Sequence, residues 1–455
     1  MKEKIRIASG QGFWGDLIDA PVWQVENGQI DYLVMDYLAE VTMSILQKQK
    51  NKNPELGYAK DIPQLMKRIL PTIKKNNVKV ITNGGGVNPE GCALAVLKVA
   101  KELQIDSLKI AVVVGDNIMH RIDEIIEKGS NLQNMESGES ILPIKNKLLS
   151  ANAYFGAFPI VEALQSGADI VITGRTTDTG LTLAPMIYEF GWEKSNYDLM
   201  AAGTVAGHIL ECGAQSTGGN FLGNWEAIEN FAQIGFPIAE AFPNGDVIIT
   251  KHENLGGKVT FDTVAEQLVY EIGNPEEYIT PDCVADFTSI KLEDLGNNRV
   301  KVFGIKGKPE TPFYKVSASY DSGYSAIGNL TYSWPKAITK AKAADQILRK
   351  RLENLNLKFD EIHTEFVGYN SCHGPIATQI DEDLINEVVL RVAVRSNDKE
   401  SVERFGKEIA PLILTGPPSV TGFAGGRPRP SEVVAYWPAL VKKELVIPQV
   451  KIMEL

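Results

Sequence analysis

Two stretches carry residue types that move protons and hold charge. In LMAAGTVAGHILECGAQSTGGN (199–220), His208, Glu211 and Gln215 fall at i, i+3 and i+7. A helix puts them on one face, with Cys212 beside them. A His–Glu pair at this spacing can serve as a general acid/base pair, the carboxylate setting the imidazole tautomer. It can equally supply two ligands to a divalent metal, which alone make no metal site, or be a buried histidine satisfied by its neighbour. In DIVITGRTTDTGLTLAP (169–185), Arg175 and Asp178 follow a short apolar run and a Thr-Gly turn. There Arg175 is expected to hold a carboxylate or phosphate in a forked pair, with Asp178 as base or orienter. The bland alternative is that the two pair with each other, or that Asp178 caps the next helix.

Three further stretches suit the binding of a ligand rather than its chemistry. Asn83-Gly84-Gly85-Gly86 with Asn88-Pro89 reads as an anion-binding nest, or merely as a tight strand-to-helix turn. It is neither a Walker loop nor a dinucleotide fingerprint, because GKS/GKT and GxGxxG are both missing. Asn152, in SANAY, either faces the same site or starts a helix. Gly218-Gly219-Asn220 is a loop suited to close backbone approach.

These residues need a frame, and the first 180 positions supply one. IRIA (5–8), DYLVMD (31–36), VKVIT (78–82), KIAVVV (109–114) and DIVIT (169–173) are short β-prone runs, each giving way to glycine or polar residues. Helical patterns lie between them at 37–48, 62–75, 91–103, 121–128 and 156–165. Such alternation predicts an α/β fold with a doubly wound, mostly parallel sheet in the N-terminal half. The carboxyl ends of parallel strands share one edge, where open sheets bind ligands. Ser9, Gln11, Asp16, Asp36, Asn83, Asn88, Asp116, Asn117, Arg175 and Asp178 are therefore expected along one rim. From Phe236 the character changes to strands with Asn-Gly and Gly-Asn-Asn turns, including a hairpin around Asn297-Asn298. The expected domains are 1–235, an α/β ligand-binding domain; 236–360, an α+β region with antiparallel strands; and 361–455, a strand–helix region holding a Gly/Pro-rich loop at 415–430.

Composition narrows the function. The 455 residues are 44% hydrophobic and 23% charged, with a net charge of -11. An acidic chain of this kind is a poor nucleic-acid binder, since phosphate backbones need a basic face. No apolar run approaches the ~18 residues of a membrane span. The four cysteines, Cys92, Cys212, Cys283 and Cys372, are far apart, and the N-terminus lacks an apolar signal core, so a reduced, cytoplasmic protein is expected. No cofactor is indicated, although the His–Glu pair leaves a divalent metal open.

Nearly the whole chain resembles the acyclic terpene utilisation protein A (AtuA) family. The blocks that carry the resemblance include IRIASGQGFWGD, DYLVMDYLAE, ITNGGGVNPEG, SANAYFGAFPIVEAL, GADIVITGRTTDTGLTLAP, AAGTVAGHILECGAQSTGG and FPIAEAFPNGDVIITK. The resemblance implies a place in the breakdown of citronellol- and geraniol-type acids as coenzyme A thioesters, without naming a reaction. TTDTG stands where a VADPS-like segment is expected, and NGGG where an NMGAAN-like loop is, so substrate preference is expected to differ. The resulting expectation is a homo-oligomeric catabolic enzyme for a small carboxylate or acyl-CoA, a lyase or hydratase. His208, Glu211 or Asp178 would move the proton, the Gly84–Gly86 loop would cradle an oxyanion, and Arg175 would hold a carboxylate. Two alternatives remain: a thioester or amide hydrolase, for which no GxSxG elbow is present, and a non-catalytic subunit that binds an acyl-thioester.

Overall fold

The computed structural model describes residues 2–455. In chain order its first elements are Ile5–Gln11 (β1), Ala20–Glu26 (α1), Tyr32–Met35 (β2), Thr42–Lys52 (α2), Asp61–Asn76 (α3), Lys79–Thr82 (β3) and Pro89–Glu102 (α4). Lys109–Val114 (β4), Ile122–Glu127 (α5), Leu148–Ala153 (β5), Phe158–Gln165 (α6), Ile170–Thr173 (β6), Gly180–Phe190 (α7) and Tyr197–Glu211 (α8) follow. The five apolar runs are all strands. β1, β2, β3, β6 and β4 lie side by side in that order, and every neighbouring pair is parallel.

These strands are apolar on both faces, as buried parallel strands must be. Leu33 and Met35 of β2 join Val80, Ile110, Val112, Ile170 and Ile172 in a core with Val22, Leu65, Ile69, Val96 and Leu97 of α1, α3 and α4. Tyr32, on the alternate side of β2, donates its hydroxyl to Glu189 of α7 at 2.7 Å. Parallel order with helical crossovers brings the carboxyl ends of β1, β2, β3 and β6 to one edge.

Of the antiparallel strands expected beyond 236, several extend the large sheet rather than forming one of their own. Ile238–Ala241 (β7) pairs antiparallel with β1, and Val247–Thr250 (β8) pairs with β7. After the helix Phe261–Val269 (α9), Tyr278–Ile279 (β9) and Val284–Asp286 (β10) begin a small separate sheet. The hairpin Lys291–Gly296 (β11) and Arg299–Phe303 (β12) extends the large sheet through β8, and Asn297 and Asn298 both adopt the positive φ such a turn requires. Lys306–Lys308 (β13) completes the small sheet.

The chain then runs through Phe313–Ser333 (β14), Ala337–Asn354 (α10), Glu361–Val367 (β15), Glu387–Ser396 (β16), Lys399–Ile409 (α11), Leu412–Thr415 (α12), Val420–Gly422 (β17), Ser431–Lys442 (β18) and Gln449–Glu454 (β19). β19 returns to pair antiparallel with β4, so the large sheet is ten-stranded and mixed. Two compact units result: the residues through Ser319 with Tyr436–Leu455, and Tyr320–Ala435. These limits differ from divisions after 235 and 360, because β7, β8, β11 and β12 complete the first unit's sheet. The second unit buries its own core, in which Leu330, Tyr332, Leu390 and Val392 meet Ile338, Ala341 and Leu348 of α10 and Phe405 of α11.

Candidate functional site

At the carboxyl edge of the first unit's sheet lies a cleft of about 380 Å³. Its walls come from the loop after β1 (Gly12, Phe13), the loop after β2 (Asp36, Leu38, Ala39, Glu40), the loop after β6 (Arg175, Asp178), the end of α8 (Glu211, Cys212, Gln215) and the turn after α9 (Tyr270, Glu271). Gly12 allows this convergence, since a Cβ there would stand 2.9 Å from the backbone of Cys212 and Gly213. Five carboxylates and one guanidinium share the space.

Arg175 is not the exposed fork that its loop position suggests. Only 2% of it is exposed. Its Nη1 donates to the Leu38 carbonyl, Nη2 donates to Asp178 Oδ1 at 3.3 Å, and its carbon Cζ stands 4.1 Å above the centre of the Tyr154 ring. Nε has no partner. A buried cation is tolerable only when paired and hydrogen-bonded, and the ring face adds to that balance. Beneath it, Asp116 accepts from the Arg175 N–H at 2.9 Å and from Asn152 Nδ2 at 2.7 Å. Burial pushes the Asp116 carboxyl up to about 6, against the pull of those donors. Asn152 thus braces the loop from behind, and it lies within β5 rather than starting a helix.

Asp36, at the end of β2, is buried yet reaches the cleft. Its Oδ1 accepts from Asn83 Nδ2 at 2.6 Å and from Leu38 N–H at 3.1 Å. Burial first, and then the Asp178 charge, hold its carboxyl well above the usual range, although Arg175 and Asn83 pull it down. Asn83 also accepts the Tyr37 N–H at 2.8 Å, so it organises the β2 loop from outside the cleft.

The His–Glu pair forms with an unexpected orientation. His208 Nδ1 lies 2.8 Å from Glu211 Oε1, and Nε2 donates to the Gln267 carbonyl at 3.0 Å. The ring is buried edge-on against Tyr278 and Phe287. Glu211, with 14% of its side chain exposed, is the member at the cleft wall, and His208 stands behind it. Burial raises the Glu211 carboxyl against the pull of His208. Burial works to lower the His208 imidazole, but the Glu211 charge and hydrogen bond, together with the Gln267 carbonyl, outweigh it and raise it. Gln215 donates to Gln267 Oε1 at 3.0 Å and accepts from Asn220 at 3.2 Å, which extends the network to the surface.

The glycines lie elsewhere. A Cβ on Gly84 would meet Ile62 at 2.4 Å, on Gly85 the Thr173 carbonyl at 2.6 Å, and on Gly86 Leu46 at 2.2 Å. That turn is packed closely by its neighbours, and its glycines are not among the cleft walls. Asn88 caps α4 by accepting the Gly91 N–H, and its amide donates to the carbonyls of Pro54 and Leu56. Gly218 and Gly219 close a turn against Ile228 and Ala214 and are not among the cleft walls.

Of the thirteen residues singled out from the sequence, Asp178, Arg175 and Glu211 meet at the cleft, and His208 stands one shell back. Sequence reasoning left Leu38, Glu40, Tyr154, Tyr270 and Glu271 out of the site. Asp36 was placed on the rim but given no role. Its signal was a lone acid directly after the apolar LVM run. Glu271 carries no such signal, since it adopts a positive φ that glutamate does not favour.

The remaining chemistry bounds the reading. The Cys212 thiol in the cleft is pushed up to about 12, by burial and then by the Glu211 charge, so it stays protonated at neutral pH. All four cysteines are free. Among the described residues no group of three or more His, Cys, Asp or Glu is arranged to hold a metal ion, and no helix is long and apolar enough to cross a membrane. Neither the curated proteins nor the solved structures contain a match to this sequence. The family described as "Acyclic terpene utilisation family protein AtuA" matches residues 5–452, nearly the whole chain, and the chain belongs to that family.

Proposed function

We propose that the cleft is the active site of a catabolic enzyme that adds water to, or removes it from, an acyl-thioester derived from an acyclic terpene acid. The family's name ties the chain to acyclic terpene utilisation. One observation supports the chemistry: two carboxyl groups, Glu211 backed by His208 and Asp178 beside Arg175, open on the same cleft. Hydration of an α,β-unsaturated thioester needs a base for water and an acid for the α-carbon, both within reach of the ligand.

The walls favour a masked acid over a free one. A free carboxylate would face Glu40, Asp178, Glu211 and Glu271, while the one cation among the described residues of the wall is held by Leu38 and Asp178. A thioester carbonyl or a hydroxyl meets no such repulsion and accepts or donates to the same groups. The protonated Cys212 thiol lends nothing to a covalent hydrolase.

A thermal-shift and turnover screen tests this. Terpenoid 2-enoyl-CoA and 3-hydroxyacyl-CoA thioesters should raise the melting temperature and interconvert, whereas the free acids should do neither. At a hundredfold excess over Kd the stabilisation is ~2.7 kcal/mol. Stabilisation without turnover would replace the enzyme with an acyl-thioester-binding subunit. Stabilisation by free acids alone would reverse the argument from the acidic walls.

A further inference from the structure

We propose that the loop between β17 and β18 binds the phosphate group of a small ligand, which Arg427 and Arg429 hold between them. This site lies wholly within the second unit and stands apart from the hydration reading. The family description assigns the loop no ligand.

Beside α11 lies a cavity of about 1060 Å³. Gly425, Gly426, Arg427 and Arg429 line it from the loop, and Gly406 and Lys407 line it from α11. The loop is fixed at three points. β17 pairs with β14 ahead of it. Phe423 packs on the core of the second unit. Pro428 lies against α11 and β14: a Cβ on Gly406 would stand 2.2 Å from the Pro428 carbonyl, and one on Gly328 would stand 3.2 Å from its ring. Arg427 and Arg429 flank that anchored proline. Each also precedes a proline, Pro428 or Pro430, which confines it to extended backbone. Gly425 and Gly426 take positive φ, 83° and 69°, and a Cβ on either would meet nothing within 4 Å. A ligand can therefore come close to the main chain there.

The charges decide what enters. Neither Arg427 nor Arg429 has a hydrogen bond or ion pair among the described residues, although the chain as a whole carries a net charge of -11. Other charges nearby are matched: Lys407 to Glu403 at 2.9 Å, and Arg404 to Glu408 at 2.7 Å. Glu403 is the one carboxylate among the described walls, and Lys407 holds it. Two exposed guanidiniums are thus left facing one space. A guanidinium forks onto phosphate oxygens through parallel N–H donors, and two of them match the charge of a phosphate dianion. A monocarboxylate would balance only one. Nucleotides, coenzyme A and free phosphate all present this chemistry.

Calorimetric titration of the full chain at low ionic strength tests the site, with pyrophosphate and adenosine 3′,5′-bisphosphate as probes. One equivalent should bind per chain, more weakly as salt is added. Arg427→Gln and Arg429→Gln should each weaken binding by ~10-fold or more, because each removes hydrogen bonds to a charged group. Both side chains are exposed, so the melting temperature should not change. Arg404→Gln removes a cation of α11 that is not among the cavity walls, and it should bind like wild type. Tighter binding of the bisphosphate would assign the site to a nucleotide-bearing ligand, and tighter binding of pyrophosphate to free phosphates. No binding of either probe, or binding that survives loss of both arginines, would overturn the proposal. An equal loss in Arg404→Gln would reduce the effect to net charge and overturn the clamp. Acetate bound as tightly as pyrophosphate would overturn the assignment to phosphate. None of these results bears on thioester hydration in the first unit.

Discussion

Replacing Arg175 with methionine removes the only cation in the cleft while keeping most of its bulk. The Leu38 carbonyl loses its donor, which for a buried acceptor costs ~1–3 kcal/mol. The Tyr154 ring loses a cation 4.1 Å from its centre, worth ~1–2 kcal/mol when desolvated. Breaking a buried ion pair costs ~3–5 kcal/mol, but Asp178 is 35% exposed and solvent screens much of its share. These contributions overlap, so a loss of roughly 3 kcal/mol is expected, about a 150-fold shift in the unfolding equilibrium. Urea denaturation at pH 7.5 measures it. The same experiment at pH 5 should show a smaller loss. Without Arg175 the buried Asp36 carboxyl, already raised chiefly by burial, takes up a proton more readily in the folded state, and the destabilising charge is reduced as pH falls. Arg175→Lys should fall between the two, because one ammonium cannot serve both Leu38 and Asp178 with the geometry of a planar fork. An Arg175→Met chain within about 0.5 kcal/mol of wild type at pH 7.5 would refute the buried-cation account, and Arg175 would again stand as a ligand-holding residue of an open loop.

Other outcomes follow from single side chains. Gly85→Ala should cost ~1–3 kcal/mol by crowding the Thr173 carbonyl, with thioester affinity unchanged, whereas a loss of affinity at unchanged stability would restore the oxyanion cradle. Asp116 and Asp282 are both pushed up to about 6, chiefly by burial, from ~3.9 in an unfolded chain. The folded state then binds more protons between those values, so their contribution is complete below about pH 4 and is lost as pH rises through 6, roughly 2–3 kcal/mol each. Denaturation midpoints of Asp116→Asn should lack that part of the slope, and a slope identical to wild type would count against it. Alkylation of Cys212, followed by mass spectrometry, should accelerate steadily from pH 7 to 10 without levelling. A plateau near pH 8 would mean a thiolate and reopen nucleophilic chemistry.

The parallel strands were legible because each is a local apolar run closed by glycine or polar residues, and that pattern depends only on burial. The antiparallel extension was legible as strands but not as part of the same sheet, since pairing β7 with β1 joins residues more than 200 positions apart. β14 was visible only at YKVSASY, because SYDSGYSAIGN is poor in β-formers and is held as strand by its ladder with β16. The glycines were read for their freedom, whereas Gly84–Gly86 are glycine because Ile62, Thr173 and Leu46 leave no volume for a Cβ. Arg175 was legible as a functional position and illegible as a buried one, because Tyr154 and the Leu38 carbonyl reach it from other strands.

The His208–Glu211 pair shows where spacing stops being informative. An i, i+3 relation is symmetric: it states that two side chains touch and not which of them meets the ligand. The asymmetry comes from Gln267 in α9, whose carbonyl takes Nε2 of His208 while its amide donates back to the His208 carbonyl at 2.8 Å. Those two bonds turn the imidazole toward Tyr278 and Phe287 and leave the carboxylate at the wall. The carbonyl that takes Nε2 belongs to the backbone, so it is His208→Phe that removes the imidazole while keeping Glu211 at the wall. If Glu211 is the base and His208 its proton store, turnover of the thioester should fall and its pH dependence should shift, with KM little changed. If the imidazole itself meets the substrate, KM should rise sharply along with the loss of turnover, and that result would reverse the two roles.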